Sequence, residues 1–391
     1  MGRNMQGSQT RGPAARSVMA MAVAWTMIGV STIPAGAVET TARNALLLDF
    51  ETNTVLFEKN ADVEIPPASL SKLMTLAIIF DQLKSGAIRA DETFPVSEYA
   101  WRTGGAASGG STMFLPLNSQ VSVDDLIKGI AIQSGNDATI VAAEGISGSV
   151  AAFAELMNAK ARELGLTHSH FANPHGLPDP GQRVSVRDLA TLATYLIRTY
   201  PEHYPLFSEE EFTFNGIKQR SRNPLLAFGA DGLKTGHTAE AGYGLVASAK
   251  DESGRRIVFA MTGMKTVGER ATEARALLTT GLRGFENIVV LKDGAVAGEV
   301  AVTGGTAVSV PVKAAREVRF LEPRGSGAPY KSEVVPVGTL EAPVAEGRRV
   351  AVLRVTRDGK TMREEPLYAA AAMEEAGLFQ RIQDTVMGHF R

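Results

Sequence analysis

"PPASLSKLMT" (66–75) sets Ser69 three residues before Lys72 at the head of an apolar run. Residues three apart on a helix share a face, so Ser69 Oγ and Lys72 Nζ can come within hydrogen-bonding reach. A serine hydroxyl is a weak nucleophile at neutral pH and needs a base. Lysine serves as that base only when burial and a neighbouring cation lower its pKa. A plainer reading stands beside this one, since Ser is common at helix entries and Lys on helix surfaces. The surrounding chain must decide between them.

Upstream, "ALLLDFETNTVLFEKNADV" (45–63) carries two β-rich runs around Glu51-Thr52-Asn53 and predicts a hairpin. The run from Ser69 to Lys84 predicts a helix ending near Gly86. Residues 123–146 read as helix, a Ser-Gly-Asn break, then helix, and 149–166 and 185–200 as two further helices, the last with Ser185 as N-cap. "FTFNGIKQ", "GLVASAK" and "RRIVFAMTGM" read as strands, and 269–286 as helix. Strands flanking a helical middle predict an α+β domain: an antiparallel sheet with helices on its faces and a helical subdomain beside it.

From Asn287 to Tyr368 the composition shifts to Val, Gly and Pro with regularly spaced turn residues, which predicts a small all-β domain. The tail, 369–391, returns to a helical pattern, with Leu378, Phe379, Ile382, Val386, Met387 and Phe390 on one side. Two readings fit it: a helix docked on its own domain, or one lying on a membrane surface. At the other end, Arg3, Arg11 and Arg16 precede an apolar stretch (18–33) and the small-residue site Ala35-Gly36-Ala37. This predicts a secretory leader over 1–37, an uncleaved anchor being the alternative, and hence a protein working outside the cytoplasm. The expected domains are therefore 1–37, 38–286, 287–368 and 369–391.

The chain contains no cysteine, which excludes disulfides, thiol nucleophiles and Cys-ligated metal. Its formal net charge of −2 gives no reason to expect nucleic acid as a partner. His168, His170 and His175 fall close together in "HSHFANPHGL", but no acidic ligand motif accompanies them, so no metal and no cofactor is expected. The Gly-rich "TGGAASGG" (103–110) lacks the Gly-Lys-Ser/Thr of a phosphate cradle and reads as a loop near a site.

Two more strings raise the weight of Ser69 and Lys72. Ser134-Gly135-Asn136 lies in the break between two predicted helices, and Lys234-Thr235-Gly236 leads into "GYGLVASA". In order, these are Ser-x-x-Lys, Ser-x-Asn and Lys-Thr-Gly, the set of penicillin-interacting serine enzymes. Ser221-Arg222-Asn223 repeats the Ser-x-Asn pattern, but it sits just before Lys234 with no helix break around it, and reads as a connection.

With these motifs, and with "GGSTMFL" (109–115), "FANPHGL" (171–177), "SRNPLL" (221–226) and "DGLKTGHTAEAGYGLVASA" (231–249), the chain resembles the low-molecular-mass penicillin-binding proteins that are D-alanyl-D-alanine carboxypeptidases. The resemblance implies a β-lactamase/DD-peptidase-like domain, an all-β domain and an amphipathic C-terminal helix. It implies removal of the terminal D-alanine from peptidoglycan pentapeptide stems through an acyl-enzyme on Ser69, with β-lactam antibiotics as inhibitors. Lys72 is then the acylation base, Ser134 a proton relay and Asn136 a holder of a substrate amide. The backbone N–H groups of Ser69 and His237 form the oxyanion hole. Lys234, Thr235 and Thr238 line the site of the substrate carboxylate, beside Gly236, and Arg270 binds that carboxylate. The expected location is the periplasmic side of the cytoplasmic membrane, peripherally attached.

Rival readings remain. A class A β-lactamase shares the motifs, yet needs a Glu-x-x-x-Asn-type element after Ser-x-Asn, and here Glu163 is followed by Leu-Gly-Leu-Thr. An endopeptidase or transpeptidase of the same superfamily, or a catalytically silent wall-binding scaffold, are the others.

Overall fold

Asn44–Asp49 (β1) is buried along its whole length and pairs antiparallel with Val55–Lys59 (β2), the hairpin the sequence predicts. Asp49 Oδ1 closes the connecting turn by accepting from the Thr52 N–H at 2.9 Å and the Thr52 hydroxyl at 2.7 Å. The protein is described here by a computed structural model covering residues 39–326 and 329–377. The predicted leader, and the tail from residue 378 onward, lie outside the described residues.

A short 3₁₀ turn, Ala68–Ser71, runs into α1 (Lys72–Ser85), which is buried from Lys72 to Phe80. A helix apolar on all sides belongs in a core. It stops at Gly86, whose φ of 74° carries no steric cost without a Cβ. The helical subdomain follows: β3 (Thr93–Pro95), α2 (Glu98–Thr103), β4 (Gln120–Ser122), α3 (Val123–Lys128), α4 (Asn136–Ser147) and α5 (Val150–Glu163). Helix α6 (Val186–Thr199) starts at Ser185, which accepts from Asp188 N–H as a capping serine should. A small hairpin, β5 (Glu211–Phe214) and β6 (Ile217–Arg220), leads to three long strands, β7 (Ala230–Thr238), β8 (Gly242–Lys250) and β9 (Arg256–Met264). Helix α7 (Val267–Arg283) closes the domain.

The central sheet has the order β2-β1-β9-β8-β7, antiparallel throughout, with β7 on the edge. Side chains alternate across it, as the pleat requires. Leu46, Val246, Val258 and Ala260 enter the core shared with α1 and α6. Leu47, Leu245, Ala247 and Phe259 face the other way, against Leu277 and Leu278 of α7. Helices cover both faces, as expected from the sequence.

The all-β domain begins slightly earlier than Asn287. Strand β10 (Phe285–Leu291) follows α7 after the single residue Gly284 and pairs with β13 (Val318–Pro323). Phe285 and Leu321 join the core beneath α7, which fixes the two domains together at that point. The remaining strands, β11 (Val296–Ala301), β12 (Ser309–Ala314), β14 (Lys331–Pro336), β15 (Arg349–Arg357) and β16 (Lys360–Ala369), form a sheet of order β11-β12-β16-β15-β14.

The tail helix does not begin at 369. Strand β16 runs through Ala369, Met373 pairs with Val344, and Glu375 pairs with Gly305. Met373 is buried in the β core, and Ala370 N–H donates to the Pro311 carbonyl at 2.8 Å. The Ala-rich run 369–372 has high helix propensity, but strand partners already in place override a preference worth only tenths of a kcal/mol per residue. The apolar stripe Leu378–Phe390 falls outside the described residues.

Candidate active site

Ser69 sits in the 3₁₀ turn and Lys72 is the first residue of α1, so one local bend presents both to the same side. Lys72 is fully buried, and its Nζ donates to Ser69 Oγ at 2.8 Å. Burial pushes the Lys72 ammonium well below its ordinary pKa, and the charges of Lys234 and Arg222 push it the same way. The plain helix-surface reading of this lysine therefore fails. Ala68, just before the nucleophile, has φ of 50°, a left-handed conformation uncommon for a residue with a side chain.

The second wall comes from the break between α3 and α4. A single π-helical turn over Gly129–Gln133 ends on Ser134, at φ 69°. Such turns occur often at functional sites. Lys72 Nζ reaches Ser134 Oγ at 3.3 Å and Asn136 Oδ1 at 2.7 Å. Buried Asp137 anchors this wall by accepting from Met113 N–H at 2.8 Å and from the Thr112 hydroxyl at 2.6 Å. Through it the Gly-rich loop is held beside the site, where Gly109, Gly110 and Ser111 line the cleft.

The third wall is β7. Lys234, Thr235 and Gly236 lie on the edge strand itself rather than in a lead-in to it. A Cβ on Gly236 would come within 3.1 Å of Leu70 and 3.3 Å of Ala68, so glycine lets the strand approach the nucleophile turn closely. Buried Lys234 is held at a pKa of about 7, by burial first and then by Arg222 and Arg270. Its Nζ donates to the Thr235 carbonyl at 3.0 Å. His237 lines the cleft, and its ring stacks on Tyr243 with centroids 3.9 Å apart.

Thr238 departs from the expectation. It does not line this cleft: its hydroxyl accepts from Ala241 N–H at 3.1 Å, closing the turn into β8, and it faces a neighbouring groove. Thr238 is the last residue of β7, where the chain already bends into the turn toward β8.

Arg270, in the first turn of α7, is buried with its guanidinium 5.6 Å from the centre of the Tyr243 ring. Its Nη2 donates to the Arg222 carbonyl at 3.4 Å, and its Nε has no partner among the described residues. Arg222 is the residue that sequence reasoning missed. The Ser221–Asn223 stretch is indeed a connection, with Asn223 bonding to Leu225 and Gly232, but that connection folds back over the cleft. There Arg222 Nη1 donates to Ser111 Oγ at 2.7 Å. Its only sequence signal was the string "SRNPLL". His175 of the loop 171–177 is a half-buried imidazole, lowered to about 3 by burial and by the Lys72 charge, so it stays neutral near the base.

Together these walls enclose a cleft of about 410 Å³. Lys72, Lys234, Arg222 and Arg270 surround it, and none of the described lining residues is a carboxylate. Such a site attracts an anion to one end and activates a serine at the other.

Comparison with known proteins agrees with this chemistry. The family described as D-alanyl-D-alanine carboxypeptidase matches residues 31–266, and the penicillin-binding protein 5 C-terminal domain matches 285–375. D-alanyl-D-alanine carboxypeptidase DacA of Escherichia coli K12 is 38% identical over 92% of this chain and 90% of its own. DacC of the same organism is 41% identical over 89% of this chain and 88% of its own. Among solved structures, penicillin binding protein 5 from Haemophilus influenzae superposes with a TM-score of 0.77 at 38% identity, covering 86% of this chain and 98% of that one.

Proposed function

The chain belongs to the D-alanyl-D-alanine carboxypeptidase family and is a serine-type D-alanyl-D-alanine carboxypeptidase, and on that premise we propose how its own residues divide the reaction. One observation carries the proposal: the buried Lys72 Nζ lies 2.8 Å from Ser69 Oγ with its pKa depressed. Neutral Lys72 takes the Ser69 proton as Oγ attacks the carbonyl of the penultimate D-alanine. The oxyanion forms between the N–H groups of Ser69 and His237, and such donors typically contribute about 3 kcal/mol each. Ser134 then passes the proton to the leaving amine, the terminal D-alanine departs, and water releases the shortened stem from Ser69.

Arg270, Arg222, Lys234 and Thr235 hold the substrate's terminal carboxylate. Asn136, which accepts from Lys72, exchanges that bond for a substrate amide. Thr238 takes no part in carboxylate binding. β-Lactam antibiotics acylate the same serine. The leader and apolar tail support export and peripheral attachment to the periplasmic face of the inner membrane.

The test is intact-mass measurement of the purified protein. A synthetic pentapeptide ending in D-Ala-D-Ala should be shortened by one D-alanine, and penicillin should add its mass to the peptide containing Ser69. Undiminished labelling of Ser69→Ala would remove Ser69 from the role.

A further inference from the structure

Residues 111–113 form a brace between two walls of the cleft. On one side they are bonded to the wall that carries Ser134 and Asn136. The Ser111 carbonyl accepts from Asn136 N–H at 2.7 Å, and Met113 N–H donates to Asp137 at 2.8 Å. Met113 is fully buried, and its side chain fills the space beside Gly129, where a Cβ would stand 2.2 Å from the Met113 Sδ. Gly129 opens the π-helical turn that ends on Ser134, so the brace and this wall are coupled.

On the other side, the ties come from β6 and from the connection that follows it. Arg222 Nη1 donates to Ser111 Oγ at 2.7 Å, and Gln219 Nε2 donates to the Met113 carbonyl at 3.1 Å. Among the described residues, these are the two side-chain hydrogen bonds from the hairpin and its connection to the brace. Gln219 is the one buried residue of β6, at 2% exposure. Its Oε1 is also buried and has no partner among the described residues. A buried acceptor left unpaired is costly, and an apolar side chain of the same length would avoid that cost. What Gln219 contributes here is its bond to Met113.

We propose that Gln219 is a positioning residue: it holds the Ser134 wall in register when Arg222 turns from Ser111 to the terminal carboxylate of the substrate. The inference rests on the carboxylate role given to Arg222 above. Without substrate, two side-chain bonds tie the brace to the connection. With the carboxylate bound, the Arg222 guanidinium gives up Ser111, and the Gln219 bond to Met113 carries the tie alone. Through Met113 it keeps Ser134 and Asn136 at their distances from Lys72 while the proton passes to the leaving amine. A substrate with no free carboxylate leaves Arg222 on Ser111, and the Gln219 bond is then redundant.

The test uses Gln219→Met, which matches the side chain in length but cannot donate, on D-Ala-D-Ala peptides with a free or an amide-capped terminus. On the free peptide kcat/KM should fall about thirtyfold and on the capped one about twofold, the scale of a misplacement of up to ~1 Å. The loss should appear in kcat rather than KM, since Arg270, Lys234 and Thr235 still hold the carboxylate. Rates are expressed per penicillin-labelled serine, so that misfolded chain is not counted. A merely structural role would slow both peptides alike and overturn the proposal. Gln219→Asn, whose amide stops one methylene short of Met113, gives the same contrast if the methionine variant does not fold. Arg222→Ala is measured in parallel. If it slows free and capped peptides equally, the carboxylate role fails and this proposal with it. If Arg222→Ala separates the two peptides and Gln219→Met does not, only the role of Gln219 is overturned.

Discussion

Gly176 lies so close to Ala68 that a Cβ placed on it would stand 1.8 Å from the Ala68 carbonyl oxygen. The loop 171–177 thus presses directly against the turn that carries the nucleophile, and Thr75 of α1 ties to it by donating to the Pro174 carbonyl at 2.6 Å. Asn173 Oδ1 in turn accepts from Gly176 N–H at 2.7 Å, holding the loop's shape. Gly176 also has φ of 82°. Gly176→Ala should therefore shift the Ser69 turn and cut penicillin acylation at least a hundredfold, the order of loss that a 1 Å misplacement brings. Stopped-flow acylation checks this, and a variant that acylates at the wild-type rate would show that the contact does not position Ser69.

The base and its neighbouring cation should be separable by pH. Lys72 must be neutral to accept a proton, so acylation rises with pH as Lys72 deprotonates. Lys234 helps hold the Lys72 pKa down. Lys234→Met should thus move the acid limb of the acylation profile to higher pH, in addition to slowing the reaction. An unmoved limb would mean that Lys234 does not contribute to the Lys72 pKa.

Lys234 also links stability to pH. Its folded pKa of about 7 lies below the unfolded value of about 10.4, so between them the unfolded chain binds a proton that the folded protein has lost. Its contribution to stability is least favourable below pH 7 and improves as pH rises through that window. Urea unfolding of the wild type and of Lys234→Met at pH 6 and pH 9 should show a smaller pH-dependent gain in the variant.

Carboxylate recognition should divide between two arginines. Arg270→Ala should raise the barrier for peptides with a free terminal carboxylate by ~2 to 4 kcal/mol, because a charged partner is left unpaired. Arg222→Ala should act in the same direction. Amide-capped peptides should lose much less, and equal loss on both substrates would exclude carboxylate binding as the role.

Drug turnover should be slow. Glu163, the acidic residue at the position of interest for a β-lactamase reading, lies at the end of α5 and pairs with Lys160 at 2.7 Å. With no carboxylate among the described residues lining the cleft, no such group activates water against the penicilloyl-enzyme. The adduct should outlast the peptide acyl-enzyme by orders of magnitude, and time-resolved mass measurement showing rapid return to free enzyme would favour a β-lactamase.

Truncation should show where the β domain ends. A chain stopped after Gly377 keeps Met373 and Ala376 in place, whereas one stopped after Ala372 removes Met373 from the β core. The shorter form should lose about 2–5 kcal/mol of stability, the usual cost of deleting a buried Met side chain, and the longer form almost none. Chemical denaturation of the two forms is the check.

Local signals settled much of this protein. The caps at Ser185 and Gly86, the apolar runs of α1 and α6 and the hairpin of β1 and β2 were legible because each depends on residues a few positions apart. The three motifs and their order were legible for the same reason. Tertiary structure decided what depends on distant chain crossings. It placed Lys234-Thr235-Gly236 on the edge strand, turned Thr238 out of the cleft, brought Arg222 in from a connection and set His175 within the field of the Lys72 charge. It also drew the Ala-rich start of the tail into a sheet, because strand partners far away in sequence outweighed local propensity. Above all it set the protonation of Lys72: desolvation belongs to the surroundings of a group and not to its neighbours in the chain, so the sequence could name the base but only the fold could make it one.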